Sequence, residues 1–565
     1  MSDLLAAAGL LVAAGASATA ILLPPGRPRS AAMLLAIALF PTLILGDQWH
    51  THQIEDLRED TGRILALIAI GALAVGALAY TFRRWPVLIP LAIVAALPFR
   101  VPLHAGGDTA NLLVPLYLVI AAAVLATLIR DWGVGSGNSS AGGGAVGGPM
   151  SEEALATAGH GGSPAATGPA ARAPSSLAVH WLPRVLAAFV VLYAVQSLYS
   201  EDFSKALQNV CFFLVPFTVA FALLRDVKWD RRLLTWTLAL LAAEAVLFVL
   251  VGSVEYVTRS LFWNDQVIRS NEFHTYFRVN SVFWDPNIYG RYLALVLVVV
   301  TAALLWVKER RAFWALTGTI AILWLGLAQT FSQSSFIALL AGLAVLAALR
   351  WSRRWTLAAV ALGIVAAALT ITFVGGSGKV NLSRINIDTS GRANLVSGGL
   401  DLFADRPLWG YGSGSFQAAY RENRENKDVP VSISHTEPVT VAAEQGLLGL
   451  VTYAALIVCA LWTMTAGITS SRTGRDGDAS AGGGAVGGPM SEEALATAGH
   501  GGSPAATGPA AHTPPSLPAR AAVLAAFVAL LVHTLSYAGF IEDPITWVLL
   551  ALGASLAAPA VRDSA

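Results

Sequence analysis

The feature that most constrains this chain is a recurrence. Apolar runs of roughly 18 residues or more, the length at which a helix crosses hydrocarbon, return along almost its whole length. Fifteen candidate spans can be read, at about 4–23, 31–46, 63–82, 86–99, 111–130, 181–199, 206–224, 233–253, 287–307, 312–330, 335–350, 355–375, 439–466, 519–540 and 543–559. The run at 86–99 is short and edged by Pro86 and Pro98, so it can lie tilted, re-entrant or interfacial, and the count is 13–15. Of the 565 residues 55% are hydrophobic and 13% charged, against about 25% charged in an ordinary soluble domain. Too little polar surface is available to face water. A transmembrane barrel would instead alternate in ten-residue segments. The fold expected is an all-α polytopic membrane protein of about 15 transmembrane helices, with a long extracytoplasmic loop before the thirteenth.

Net charge is +1, which gives no global field for nucleic acid. Cys211 and Cys459, the two cysteines, both sit in apolar runs and read as buried small hydrophobes. Neither a disulfide framework nor a cysteine metal site is expected. The first apolar run follows Met-Ser-Asp with no basic stretch, so it reads as a span and not as a cleaved signal peptide. Basic connections (Arg27/Arg29, Arg83/Arg84, Arg225–Arg232, Lys308–Arg311, Arg350–Arg354) fall at alternate turns of the chain and so share one side. By the positive-inside rule that side is cytoplasmic. The N-terminus is then outside and the C-terminus inside.

The domain plan follows. Residues 1–131 are N-terminal transmembrane helices, and 132–180 a disordered cytoplasmic linker. Residues 181–374 are central transmembrane helices with an outer loop at 252–285. An extracytoplasmic catalytic loop spans 375–438, a transmembrane helix 439–466, a second disordered cytoplasmic linker 467–518, and C-terminal transmembrane helices 519–565. Ser140–Ala171 and Ser480–Ala511 are the same 32 residues repeated without change. Their Gly, Ala, Pro and Ser content cannot bury a core. His160 and His500 fall inside them and are discounted.

The outer loops hold the candidate chemistry. In 252–285, Arg269, Glu272, His274 and Arg278 precede Asp285-Pro286-Asn287, a helix-start signal with a capping carboxylate and a first-turn proline. Arg278 then lies just outside a span and Arg291 one turn inside it. Arginine suits bidentate phosphate binding, and it also snorkels to headgroups. In 375–438, Arg392–Phe403 reads as a short helix with apolar Leu395, Leu400, Leu402 and Phe403. Gly410, Gly412 and Gly414 allow tight turns or close approach to a ligand. His435 sits where polar loop meets apolar helix, and its ordinary pKa near 6.5 suits proton transfer. Glu444, inside the next span, needs a partner in the bundle interior. Lys205, after Ser200-Glu201-Asp202, can meet phosphate or anchor the interface. The turn TFSQSS at 330–335, His533 and the GFIEDP turn are further polar points. His50 and His52 lack a third metal ligand.

Three pieces together resemble the O-antigen ligase and O-antigen polymerase superfamily of membrane glycosyltransferases. The first is Arg278 followed by Pro286-Asn287 and a span. The second is Gly391-Arg392 followed by LFADRPLWGYGSGSF, and the third is SHTEP followed by AAEQGLLGL. The resemblance covers about residues 185–465. Two positions depart from it: Asn280 where the family often has glycine, and Thr436 after the histidine.

The resemblance implies a donor glycan on undecaprenyl diphosphate and a glycan or lipid acceptor, joined at the outer face of a bacterial cytoplasmic membrane without a metal or other cofactor. It implies catalytic roles for His435, which would activate the acceptor hydroxyl, and for Arg278 and Arg392, which would contact the diphosphate. Arg291, Lys205, Glu444, Gly412 and Gly414 are the expected substrate-binding residues. The function expected is an O-antigen ligase-like glycosyltransferase of surface polysaccharide biosynthesis. A polymerase of the same superfamily is one alternative, and a polysaccharide or lipid-linked oligosaccharide transporter is another.

Overall fold

The structure is a computed structural model that describes residues 3–49, 60–105, 108–133, 174–273, 276–361, 392–423, 434–481 and 517–558. The repeat at 140–171, all but the first two residues of its copy at 480–511, and parts of the expected catalytic loop (375–391, 424–433) lie outside them. So do His50, His52 and His274.

In chain order the elements are α1 (Asp3–Leu22), α2 (Arg27–Asp47), α3 (Thr61–Arg84), α4 (Leu88–Ala96), β1 (Val101–Ala105), β2 (Asp108–Leu112), α5 (Val114–Gly133), α6 (Pro174–Gln196), α7 (Phe203–Leu224, with a π turn over Val210–Leu214), α8 (Arg231–Thr258) and α9 (Asp265–Phe273). They continue with α10 (Pro286–Trp306), α11 (Arg310–Thr330), α12 (Gln333–Arg350), α13 (Arg392–Asp405), α14 (Phe416–Glu422), α15 (Glu437–Ala481), α16 (Leu517–Thr534) and α17 (Pro544–Ala557). Among the described residues the one sheet is an antiparallel hairpin, with Leu103 opposite Ala110.

Among the described residues twelve helices are long and apolar enough to cross a membrane, three fewer than the spans read from the sequence. Prolines account for part of the difference. The run at 86–99 yields only the nine residues of α4, about 14 Å of helix against roughly 30 Å of hydrocarbon. Helix α17 has 14 residues and falls short of the same thickness. The span expected at 355–375 is helical over 353–361, and its remainder lies outside the described residues. Helix α6 begins at Pro174 and α15 runs on to Ala481, so both take in residues expected as linker. Once a spanning segment has nucleated a helix, each added residue gains a hydrogen bond.

Burial differs sharply among the helices. The hydrophobic window of α7 is 78% buried and that of α10 67%, whereas that of α3 is 6% buried. Helix α10 packs against α11, α12 and α16 at the centre of one continuous apolar core. Helix α7 joins the two ends of the bundle. Past its last turn, Asp226 pairs with Arg29, and Arg225 donates to the carbonyls of Ile21 and Leu23. At its start, Ala206 lies against Gly414.

Helix α15 is broken at Gly446, whose φ is 62°. A break inside apolar sequence frees backbone groups that hydrocarbon cannot satisfy. Here the chain at 407–412 satisfies them. Tyr411 N donates to Ala443 O (3.1 Å), Gly412 N to Glu444 O (2.8 Å), and Leu447 N to Pro407 O (2.8 Å). The Gln196 side chain donates to Gln445 O (3.0 Å). Contact is close enough that a Cβ on Gly446 would stand 2.5 Å from the Leu408 carbonyl. Gly446→Ala is therefore expected to lower stability by at least the 1–2 kcal/mol or so of a left-handed non-glycine residue. A lower thermal midpoint of the purified protein in detergent checks this; an unchanged midpoint contradicts the knitted break.

Candidate active site

Two polar features meet at the end of the bundle where α10, α15 and α17 begin. One is a cluster of arginines around His435, and the other is a cleft lined by glutamates.

Arg278 reaches the cluster on a braced turn. The Glu255 carboxylate accepts from Asn280 N (3.1 Å) and Ser281 N (2.7 Å). Asn271 accepts from Arg278 N (3.0 Å) and donates to Arg278 O (2.9 Å). The guanidinium is held as well, its Nε donating to Thr330 O (3.0 Å) and its Nη2 to Asn287 Oδ1 (3.0 Å). Asn287 is fixed in turn by the Asp285 cap (2.6 Å) and by Ser332 Oγ (3.0 Å). Ser332 Oγ lies 2.8 Å from Ser335 Oγ, and Ser334 and Ser335 both reach His533 Nε2 (3.2 and 3.4 Å). The TFSQSS turn and His533 thus belong to the scaffold behind Arg278.

Arg392 opens α13, and its Nη1 donates to Ser536 O at 3.3 Å. His435 has φ 62°, an uncommon state for a residue with a Cβ, although His is enriched there. Ser434 holds that turn: its Oγ donates to Thr436 O (2.8 Å), accepts from Thr436 N (3.2 Å) and meets Thr440 Oγ1 (2.7 Å). The His435 ring stands 6.3 Å from the Tyr537 ring.

Electrostatics tie these groups together. Burial lowers the His435 pKa from its ordinary value, and the Arg392 charge lowers it further, with Asp285 opposing. Burial also lowers Arg278, where Asp285 opposes and Arg392 adds to the effect. Burial pushes the Tyr537 hydroxyl up, and Asp285, Arg291 and Arg100 all act on it.

Arg100 was not anticipated from the sequence. It follows α4 and feels both Asp543 and Arg291; its only signal is an arginine closing a proline-edged apolar run. Four guanidinium groups thus face Asp285, Asp543 and, at the edge, Glu542, and the surplus charge is positive. Such a surplus, partly withdrawn from water, favours an anion.

The expected binding residues divide between the two features. Arg291 is 3% exposed and paired with Asp543 at 2.7 Å, while its Nε and Nη1 have no hydrogen-bond partner. Lys205, Glu444 and Gly414 line the cleft, together with Asn209 and Glu542. The cavity proper is small, about 50 Å³, and opens to solvent at its mouth. The Glu444 carboxylate accepts from Gly414 N (2.8 Å) and Phe416 N (3.2 Å) and so clamps the glycine loop. Gly412 has a different setting: a Cβ there would strike the Ser200 backbone, so its lack of one allows that packing. Among the described residues no group of three or more His, Cys, Asp and Glu side chains is placed to hold a metal ion.

These features define an integral membrane protein with a cation-rich polar site at one end of its helix bundle. Residues 318–454 match the family model of O-antigen ligase, which supports membership of the O-antigen ligase superfamily and a ligase- or polymerase-type membrane enzyme. The match takes in Arg392, the glycine loop and His435, and begins after Arg278. No curated protein matches the chain.

The direction of the His435 shift gives a test. Its imidazole is expected to stay neutral, and reactive toward an acylating reagent, down to a pH below about 6.5. Arg392→Gln removes a charge that opposes protonation, so the midpoint is expected to rise. Peptide mapping of acylated His435 against pH reads both values; a midpoint above 6.5, or one that falls in the variant, overturns the assignment.

Proposed function

We propose that the protein transfers a glycan from undecaprenyl diphosphate to an acceptor hydroxyl at the outer face of a bacterial cytoplasmic membrane, in surface polysaccharide synthesis. The observation that carries this reading is the convergence of His435, Arg392 and Arg278 in one electrostatic neighbourhood, although they come from separate stretches of the chain. The cation-rich end is outward.

In the reaction, the acceptor oxygen attacks the anomeric carbon and its proton passes to His435. The bond from that carbon to the diphosphate breaks, and the undecaprenyl diphosphate leaves with the electron pair. A base must be neutral to accept the proton, which suits the low His435 pKa. Charge developing on the leaving diphosphate is stabilised by guanidinium groups already in place. Arg278 and Arg392 are the proposed contacts, and Arg291 is proposed as a third through its two unpartnered donors. No metal ion takes part in the proposed step. The acceptor is another saccharide or a lipid-linked core; transfer to a second donor molecule would make the enzyme a polymerase.

The test uses the full chain in nanodiscs with an undecaprenyl-diphosphate-linked glycan and a saccharide acceptor, with and without chelator. New glycosidic product is expected in both, and a ladder formed from donor alone identifies a polymerase. Arg278→Lys cannot hold Thr330 and Asn287 with one planar fork, and is expected to lose about 100-fold or more in kcat/KM. Full activity of that variant together with His435→Ala would sink the proposal. Movement of donor across the bilayer with no new bond would establish a transporter instead.

A further inference from the structure

The glutamate-lined cleft shares no arginine or histidine with the cluster beside it, yet the two are separated by a single layer of chain. In the turn between α16 and α17, Tyr537 faces His435 and His533, with ring centroids 6.3 and 5.8 Å apart. Ala538, Gly539, Ile541 and Glu542 of the same turn line the cleft. The start of α15 does likewise: His435 faces Tyr537, while Glu437 and Thr440 line the cleft. The Glu437 carboxylate binds the two segments together, accepting from Gly539 N (2.7 Å) and Phe540 N (3.1 Å).

One side chain at the wall is incomplete. Asn209 is 7% exposed, and its Nδ2 donates to the Tyr193 hydroxyl at 2.9 Å. Its Oδ1 has no hydrogen-bond partner. Buried polar atoms are almost always paired, so this unpaired acceptor, on a residue that lines the cleft, marks where a donor belongs. The rest of the lining narrows the ligand. Glu437 and Glu444 already accept backbone N–H groups, and with Glu542 they crowd the wall with acceptors, which an anion cannot use. An apolar group would leave Asn209 Oδ1 unpaired. Lys205, Gln417 and Thr440 supply donors, and Asn209 and Glu542 supply acceptors. Hydroxyl groups, which donate and accept at once, fit this mixture.

We propose that the cleft holds a sugar ring of the acceptor, with Asn209 Oδ1 and Glu542 accepting from its hydroxyls and Lys205 donating to them. The ring next to it then presents a free hydroxyl past the Glu437 turn toward His435. This rests on the transferase reading but assigns a place to the second substrate, apart from the diphosphate.

The probe is an oligosaccharide released by mild acid from the host's own surface polysaccharide and tagged with a diazirine. It is photo-crosslinked to the full chain in nanodiscs. Crosslinks are expected within 203–209, 437–445 and 538–542, undisturbed by inorganic pyrophosphate, and about tenfold weaker in Asn209→Leu and in the conservative Glu542→Gln. In the transfer assay both variants are expected to raise the acceptor KM about tenfold and leave the donor KM unchanged.

Crosslinks that map to Arg278 or Arg392, that pyrophosphate displaces, or that ignore Glu542→Gln overturn the proposal. Normal transfer with an unchanged acceptor KM overturns the cleft assignment and leaves the transferase reading standing. Expected crosslinks without any transfer by the unmodified protein do the reverse.

Discussion

The broken helix at Gly446 is the constraint on which the rest of the site depends. In hydrocarbon a helix interruption is tolerated only where other protein groups take up the freed backbone. Here the takers are the 407–412 chain and the Gln196 side chain. That exchange welds the glycine loop to α15, and the Glu444 carboxylate adds two further ties at Gly414 and Phe416. Once the loop is fixed, Gly412 and Gly414 rest against Ser200 and Ala206 at the start of α7, and the wall that carries Lys205 and Asn209 is in place. A helix end, a loop and a neighbouring span therefore take up one position together.

The cluster is held from the other side by a second chain of contacts. Glu255 braces the 280–281 turn, Asn287 and Thr330 hold the Arg278 guanidinium, and Ser332 holds Asn287 and reaches His533 through Ser334 and Ser335. Arg291 and Asp543 join the beginnings of α10 and α17. Removing one member of a buried pair leaves an uncompensated charge, so the ion pair and the arginine cluster are not separable in stability. Arg278, Arg291 and Arg392 crowd together with each tied to a carbonyl, an amide or a carboxylate. That prior fixation lets them meet an anion without rearranging.

Much of this was legible in the sequence where the signal is local. Spans showed as apolar length, the start of α10 as Asp285-Pro286-Asn287, and α13 as the amphipathic stretch from Arg392. His435 stood out because a titratable ring at a polar-to-apolar boundary is unusual. What stayed hidden depends on distance along the chain. Gly446 looks like any glycine in a membrane helix until Leu408 is seen against it. Glu444 asked for a partner, but the partner was backbone, which has no side-chain signature. Arg100 becomes notable only when Asp543 is brought near it, and Asn209 only when the cleft forms around it. The run at 86–99 gave a short helix and not a span because hydropathy counts apolar residues and not the helical rise that prolines leave.

Burial also sorts the helices by what they answer to. Helix α3 turns Leu65, Leu67, Ile68, Ile70 and Leu73 outward, each more than half exposed, and in a bilayer its solvent is acyl chain. Its side chains are held to a general property, being greasy, and one aliphatic residue serves there as well as another. A charge there costs a few kcal/mol. Helix α10 answers to specific neighbours, where a single methylene is felt. The two helices thus drift at different rates for physical reasons: one by exchange among equivalents, the other only in step with the residues that touch it.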